Sequence, residues 1–578
     1  MTTRITRREL LATSIKGGLG LVALNRLAGA APLLVVSHES AAPTEGFSAA
    51  YQRLDEYIAR HMSEINAPGM TVAIAGRQGA LRTSQYGFAD MKAGLRITPD
   101  TLFEIGSISK SFVALAIVQM AESGKLDLHK PVKEYLPWLK IDSKYAPITT
   151  HHLLSHTSGL SGVPLLLRVA SQTLRAGSEP GTRFVYCNIG YVLLGLVLEA
   201  VDKRPFADAL RERVLRPIGM NASESVITDA ARDRIAIGYR PLYDDRPFPV
   251  KGKLAEAPWI EVPEAAGSVA ATANDMCKYL TMLLNHGTGS RADVLSTKGF
   301  ELFTKPVIKA PFRGEDTSYA YGLWTSSTNG HTVLRHTGGM VAFSSAMYAD
   351  LTDGFACFAS VNARLAEGYR PVAVAKYVLE LLNAAAAGKE LPPIPPPAPA
   401  ADQIKNAADF AGTFVGAEGK KLILTSSSAD RLMLQHNGSQ VVLETAGPDR
   451  FIVPHPDFEL FTLNFGREKN AVVEASHGSS WWANERYNGK REFSYNTAWD
   501  AFTGHYRSDS PWYGSSRIVI RKGRLLMDGD LPLLPLEAGV FQPEGATAAD
   551  RVSFDTIIDG KANHMNYSGI EFYRTFTP

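Results

Sequence analysis

The run Leu391-Pro-Pro-Ile-Pro-Pro-Pro-Ala-Pro399 can hold neither a helix nor an inner sheet strand, because each proline lacks an amide proton and fixes φ. It prefers extended polyproline geometry and therefore divides the chain. A division is needed, since 578 residues exceed the ~250–300 residues over which a single core grows. With the alanine run Ala384-Ala-Ala-Ala-Gly388 just before it, the segment reads as a semi-rigid Ala/Pro-rich linker over residues 386–407.

The two sides of this break carry different periodicities. Upstream, strand-like patches such as Met70-Thr-Val-Ala-Ile-Ala75 alternate with helical patterns at 111–123, 189–202 and 274–285, which predicts an α+β catalytic domain over residues 47–385. Downstream, short alternating runs such as Lys421-Leu-Ile-Leu-Thr425, Arg517-Ile-Val-Ile-Arg521 and Gly569-Ile-Glu-Phe-Tyr573 predict antiparallel β-structure. A weak internal repeat relates Asp409-Phe-Ala-Gly-Thr-Phe414 to Ala501-Phe-Thr-Gly-His-Tyr506, and Asn484-Glu-Arg-Tyr487 to Glu571-Phe-Tyr573. Two units are too few for a solenoid, so we expect two small antiparallel, lipocalin-like β-barrels, residues 408–494 and 495–578.

Composition excludes some functions. A net charge of +2 with 20% charged residues gives no footprint for a nucleic-acid partner. Cys187, Cys277 and Cys357 are too few and too scattered for a zinc knuckle or a disulfide framework. Residues 1–31, with Arg7-Arg8 ahead of a modest Gly-rich apolar stretch and Ala28-Gly29-Ala30, resemble a twin-arginine export signal, and imply a periplasmic or secreted protein. Lys16 and Arg26 interrupt that stretch short of the ~20 residues a membrane span requires.

Three motifs carry chemistry. Phe103-Glu-Ile-Gly-Ser107-Ile-Ser-Lys110 opens the apolar pattern Val113–Met120, which places Ser107 in the first turn of a buried helix with Lys110 at i+3. A serine hydroxyl needs a base to take its proton, and a lysine serves only when neutral. That requires a drop of about 3 from its ordinary pKa of ~10.4, roughly 4 kcal/mol, which burial can supply. Alone, the tetrapeptide reads equally well as an ordinary helix start. Tyr186 and Asn188 share a side if the chain there is extended; a phenol could pass a proton to the leaving group, and an amide could hold a substrate carbonyl. His336-Thr337-Gly338-Gly339 ends a strand-like run in two glycines. The amide of Gly339, paired with that of Ser107, would make an oxyanion hole.

In this order and spacing the motifs resemble those of the penicillin-recognising serine hydrolases: class C β-lactamases, penicillin-binding proteins, D-aminopeptidases and related esterases. Gly124–Leu128, Pro131–Pro137, Ile148–Leu160, Gly267–Asp275 and Tyr321–Trp324 extend the likeness over residues 50 to 385. The resemblance implies an antiparallel sheet packed with helices and an acyl-enzyme on Ser107. It further implies proton relay by Lys110 and Tyr186, substrate positioning by Asn188, and an edge strand formed by His336, Thr337 and Gly338. It implies no cofactor and no metal; His151, His152 and His156 fall in a family landmark and are read as structural. His336 stands where β-lactamases of this group usually carry lysine, and Cys187 where a serine is usual. Loss of the fixed cation favours a small peptide, amide or ester substrate, with a peptidase for short or unusual, including D-residue, peptides leading. A carboxylesterase is the alternative; a β-lactamase, or a non-catalytic peptidoglycan binder or sensor, ranks behind both.

Overall fold

The computed structural model describes residues 36–39, 45–163, 172–249, 252–289, 292–328, 330–365, 368–428, 430–547 and 549–576. The export-signal stretch lies outside them. In the catalytic region the main elements are α1 (Ser48–Glu64), β1 (Gly69–Gly76), β2 (Gly79–Asp90), α2 (Ser109–Glu122), α3 (Asn188–Asp202) and α4 (Ala273–Leu284). They continue with β3 (Trp324–Thr328), β4 (His331–Gly339), β5 (Ser344–Asp350), β6 (Phe355–Val361) and α5 (Val372–Ala386). The strands form one antiparallel sheet in the spatial order β2-β1-β6-β5-β4-β3, with short strands added at both ends. One of these, Val36–Glu39, pairs with β2, so the sheet begins upstream of the expected start at 47.

The period-2 pattern of the strands explains the three layers. Met70, Val72 and Ile74 of β1 and Cys357 and Ala359 of β6 pack with α1 and α5 on one face. Ala73 and Ala75, with Ala356 and Phe358, pack with α2, α3 and α4 on the other. Every residue of α2 from Ser109 to Val118 is buried, as expected for a helix apolar nearly all round. It stops at the predicted place: Gly124 adopts φ 68° and the Lys125 amide closes back onto the Met120 carbonyl at 2.9 Å.

The proline run lies along the catalytic domain. Arg53 of α1 donates to the carbonyls of Leu391 and Pro392, each at 2.8 Å, and Leu391 and Ile394 pack against the α1/α5 core. From Ala401 onward the chain already belongs to the next unit: Thr445 N donates to Ala401 O at 2.7 Å, and Ile404 sits in the core of the first β-domain.

That first β-domain is a nine-stranded antiparallel sheet, and the second an eight-stranded closed barrel. The first half of the sequence repeat is structural. In both units a short 3-10 turn (Ala407–Phe410, Thr497–Ala501) precedes a glycine of large positive φ and the opening strand, Gly412–Gly416 or Gly504–Arg507. Phe410 and Phe414 enter one core as Phe502 and Tyr506 enter the other. The second half is not: Asn484–Tyr487 follows the last strand of its unit, whereas Glu571–Tyr573 lies within one, Ile570–Thr575. Both β-domains meet the catalytic domain through ion pairs, Arg246–Glu459 at 2.5 Å and the buried Arg517–Asp245 at 3.0 Å. No helix among the described residues is long and apolar enough to cross a membrane.

Candidate active site

Ser107 stands not in the first α-helical turn but in a 3-10 turn, Gly106–Ile108, that leads into α2. With three residues per turn, positions i and i+3 eclipse, which sets Lys110 Nζ 2.8 Å from Ser107 Oγ. Gly106 is required for this approach, as it adopts φ 55° and a Cβ on it would lie 2.7 Å from Gly339 N. The same closeness brings the Ser107 segment beside Gly339. Gly338 is held to glycine by the Ile105 carbonyl, 1.9 Å from where its Cβ would stand.

Lys110 is fully buried and touches two further groups, Asn188 Oδ1 at 2.8 Å and the Ala266 carbonyl at 2.7 Å. Burial lowers its pKa to about 7. A neutral amine has two protons and one lone pair. Because Asn188 Oδ1 and Ala266 O can only accept, both protons are committed to them and the lone pair is left for the Ser107 hydroxyl.

Tyr186 lines the same cavity as Ser107, and burial raises its pKa above the ordinary value, so at neutral pH it is a phenol that can give a proton and not a phenolate that could take one. Tyr186 and Asn188 do not share one extended segment as expected: Asn188 is the first residue of α3. Cys187 between them is the N-cap, its Sγ accepting from Gly190 N at 3.4 Å and donating to Ser161 O at 3.1 Å. Burial raises the thiol to about 11, which keeps it protonated.

His336, Thr337 and Gly338 lie on β4, which is an inner strand, since β3 and β5 flank it. However, β3 pairs only as far as Arg335, while β5 continues to Gly339. The four residues from His336 onward therefore present an unpaired edge beside Ser107. His336 Nδ1 lies 2.7 Å from the Thr337 carbonyl, which can only accept, so that nitrogen carries the proton and Nε2 accepts from Tyr319 OH at 3.3 Å. Burial and the Lys110 charge push its pKa down to about 3; the ring is a neutral group.

The three family-landmark histidines each have local work. His151 Nδ1 meets Tyr321 OH at 2.6 Å, His152 closes a capping box with Thr149, and His156 Nδ1 accepts from Cys187 N at 3.0 Å. The His156 ring backs that of Tyr186, with centroids 4.2 Å apart.

These groups open into a cavity of about 320 Å³ lined by Ser107, Tyr186, Asn188, His336, Thr337 and Gly339. Gly338 faces Ile105 and Ser345 instead. The lining also holds residues that no motif announced: Arg313, Arg364 and Arg370, and Trp512 from the second barrel. Arg370 lies against Gly339, whose Cβ would meet its Nη2 at 1.9 Å. Burial lowers it only to about 10, so it remains a cation at neutral pH. Among the described residues no carboxylate lines this cavity; Glu367 lies outside them. A larger cavity of about 700 Å³ at the junction of the three domains contains none of the motif residues.

A helix-flanked antiparallel sheet, with Ser107, Lys110 and Tyr186 gathered beside an open strand end, defines a β-lactamase-like serine hydrolase architecture. Residues 54–382 match the beta-lactamase family, and the chain belongs to that family. Among curated relatives, penicillin-binding protein 4 of Amycolatopsis lactamdurans is 30% identical over 243 residues, 39% of this chain and 61% of that protein. An unguisins hydrolase of Aspergillus campestris is 25% identical over 362 residues, 57% of this chain and 65% of that protein. The chain thus spans less than two thirds of the length of either. Among solved structures, an octameric penicillin-binding protein homologue from Pyrococcus abyssi covers 75% of this chain and 100% of its own. It aligns with a TM-score of 0.52 at 23% identity, a likeness of fold.

Proposed function

We propose that this protein is an exported serine hydrolase that forms an acyl-enzyme on Ser107 and cleaves short peptides presenting a free carboxylate. The observation that carries the mechanism is the buried Lys110, whose Nζ contacts Ser107 Oγ together with two groups that can only accept, Asn188 Oδ1 and Ala266 O. Lys110 takes the hydroxyl proton as Ser107 attacks, the amides of Ser107 and Gly339 receive the oxyanion, and Tyr186 gives a proton to the departing group. The open edge of β4 from His336 to Gly339 accepts substrate backbone, with Thr337 and Asn188 alongside it.

The carboxylate reading rests on the arginines of the cavity lining. Three arginines with no carboxylate among the described lining residues suit an anionic group and repel a free ammonium. This turns the peptidase expectation away from recognition of an amino terminus. Trp512 limits the cavity on the barrel side, which suits short substrates. The neutral His336 removes the strand cation of the group's β-lactamases and supports a peptidase or esterase over a β-lactamase. Export rests on Arg7-Arg8 and the stretch that follows.

A panel on the purified protein tests this. Alanyl dipeptides in D and L forms, each as free acid and C-terminal amide, would be run beside p-nitrophenyl esters. The expected result is peptide cleavage in which amidation lowers kcat/KM by about 10–150-fold, the worth of one charge-assisted hydrogen bond of ~1.5–3 kcal/mol. Cleavage of esters alone would move the assignment to a carboxylesterase, and equal rates on acids and amides would remove the carboxylate reading.

A further inference from the structure

We propose that the first β-domain carries a transition-metal site formed by His436, His455 and Asp457, and that a cation of the zinc class bound there fastens this domain to the catalytic domain. His436 ends the strand Arg431–His436. His455 and Asp457 flank Pro456 at the start of the 3-10 turn Pro456–Phe458. One donor atom from each residue lies within 4.8 Å of the other two. His436 Nε2 is 2.6 Å, and His455 Nδ1 3.8 Å, from the same oxygen of Asp457. Around a tetrahedral zinc with bonds of ~2.0–2.2 Å the ligand atoms stand about 3.3–3.6 Å apart, which side-chain shifts of about 1 Å would reach from here. All three side chains are partly open to solvent, so an ion can enter and water can complete the set.

The donor chemistry selects the ion. Two imidazoles and one carboxylate suit Zn²⁺, Ni²⁺ or Cu²⁺ and not the all-oxygen shells of Ca²⁺ or Mg²⁺. A second cluster, His331 with Asp350 and Asp353, does not compete. There Asp350 is buried, one of its oxygens accepts from the amides of Thr352 and Asp353, and the other is shared by His331 and Asn383. Those lone pairs already hold a turn. In the proposed site His455 Nδ1 accepts from the Asp457 amide at 3.2 Å, a single bond that an ion would displace, while Asp457 offers one oxygen toward both histidines.

The position gives the site a consequence. Phe458 packs its ring on His436, centroids 5.1 Å apart. The next residue, Glu459, pairs with Arg246 of the catalytic domain, and Phe461 lies under the Arg517 guanidinium of the second barrel at 5.8 Å. An ion joining His436 to the 455–457 segment therefore pins one stretch through which the first β-domain contacts both other units.

Isothermal titration of ZnCl₂ into the EDTA-stripped full chain tests the site. One Zn²⁺ per chain is expected, with H436A and H455A each weakening binding at least tenfold and H331A leaving it unchanged. Hydrogen exchange across residues 453–462 should slow on zinc addition in the unsubstituted protein and not in H436A. Absence of saturable binding, or binding that survives the H436A/H455A double variant, overturns the site. Binding without a change in exchange overturns the fastening. Both histidines are at the surface, and circular dichroism of each variant verifies that it folds.

Discussion

Two sets of residues at the catalytic cavity, a chemical one and a substrate-facing one, were built in different ways. In the first, Ser107 and Lys110 come from a single turn, and Tyr186 and Asn188 from a single helix start, so four groups are placed by local chain geometry and two short sequence spans. In the second, Arg313, Arg370 and Trp512 come from three distant stretches and two domains, joined only by the tertiary fold. In the proposed mechanism the first set performs bond chemistry and the second meets the substrate. Chemistry demands sub-ångström placement, which a shared turn supplies cheaply in conformational entropy; substrate choice can be assembled from loops.

The comparison is broken most directly at Ser107. S107A should lower kcat/KM on any cleaved substrate at least on the order of 10³-fold, because it removes the hydroxyl that Lys110 Nζ contacts. Its thermal midpoint should stay nearly unchanged, since Asn188 and Ala266 still receive the two amine protons. Retained turnover in S107A would dismantle the whole chemical set. Intact-mass measurement during turnover gives the positive counterpart, an acyl adduct that S107A lacks.

The pH profile sharpens the claim about which group is the base. Lys110 acts as the free amine, and its pKa is lowered to about 7, so kcat/KM should rise with pH through about 7 and then level. At one pH unit below that midpoint about a tenth of the amine is free. His336, pushed down to about 3, is neutral throughout this range, and Tyr186 stays a phenol because burial raises it. A single rising limb between pH 5 and 9 is thus expected. A limb centred near 5, or a fall beginning near 8, would assign the base elsewhere.

The substrate-facing set is probed by R370A. Here the effect should depend on the substrate: a loss of about 10–150-fold on free-acid peptides, from one charge-assisted hydrogen bond, against little change on their amides. The acid-over-amide preference and the arginine should vanish together in a double-mutant comparison. An equal loss on acids and amides would make Arg370 a packing residue for Gly339, against which it lies.

The contrast between the two sets also explains what was legible in the sequence. The three layers follow from period-2 strands and a helix apolar on all sides, which depend on neighbours in sequence, and the core elements fall within a few residues of their expected positions. The expectation failed where geometry is decided by tertiary contact. A 3-10 turn replaces the first α-turn at Ser107 because Gly106 must pass beside Gly339. β4 is an inner strand with an exposed tip because β3 ends early, and a motif does not record its partner's length. Arg370 and Trp512 had no signal at all, since lone basic and aromatic residues between motifs are ordinary surface or core. What the fold adds is that Ser107, Tyr186, Asn188, His336, Thr337 and Gly339 line one cavity, with Lys110 buried behind Ser107 and Asn188.

The smallest expected effect concerns Cys187, which stands where the motif resemblance implies a serine. The thiol caps α3 through the Gly190 amide and reaches the Ser161 carbonyl, the two jobs a hydroxyl does with shorter bonds. C187S exchanges a weak sulfur acceptor for a preferred capping oxygen, but draws back from a buried site shaped around the larger atom, where small voids cost stability. These effects oppose each other, so the unfolding free energy should shift by less than about 1 kcal/mol, and kcat/KM by less than twofold. The thiol, raised to about 11, carries no charge near neutrality that the exchange could remove. Denaturant unfolding and one substrate suffice to check it. A loss beyond tenfold in kcat/KM at unchanged stability would mean that the sulfur takes part in the Tyr186–Asn188 geometry, and that even the chemical set depends on more than its motif residues.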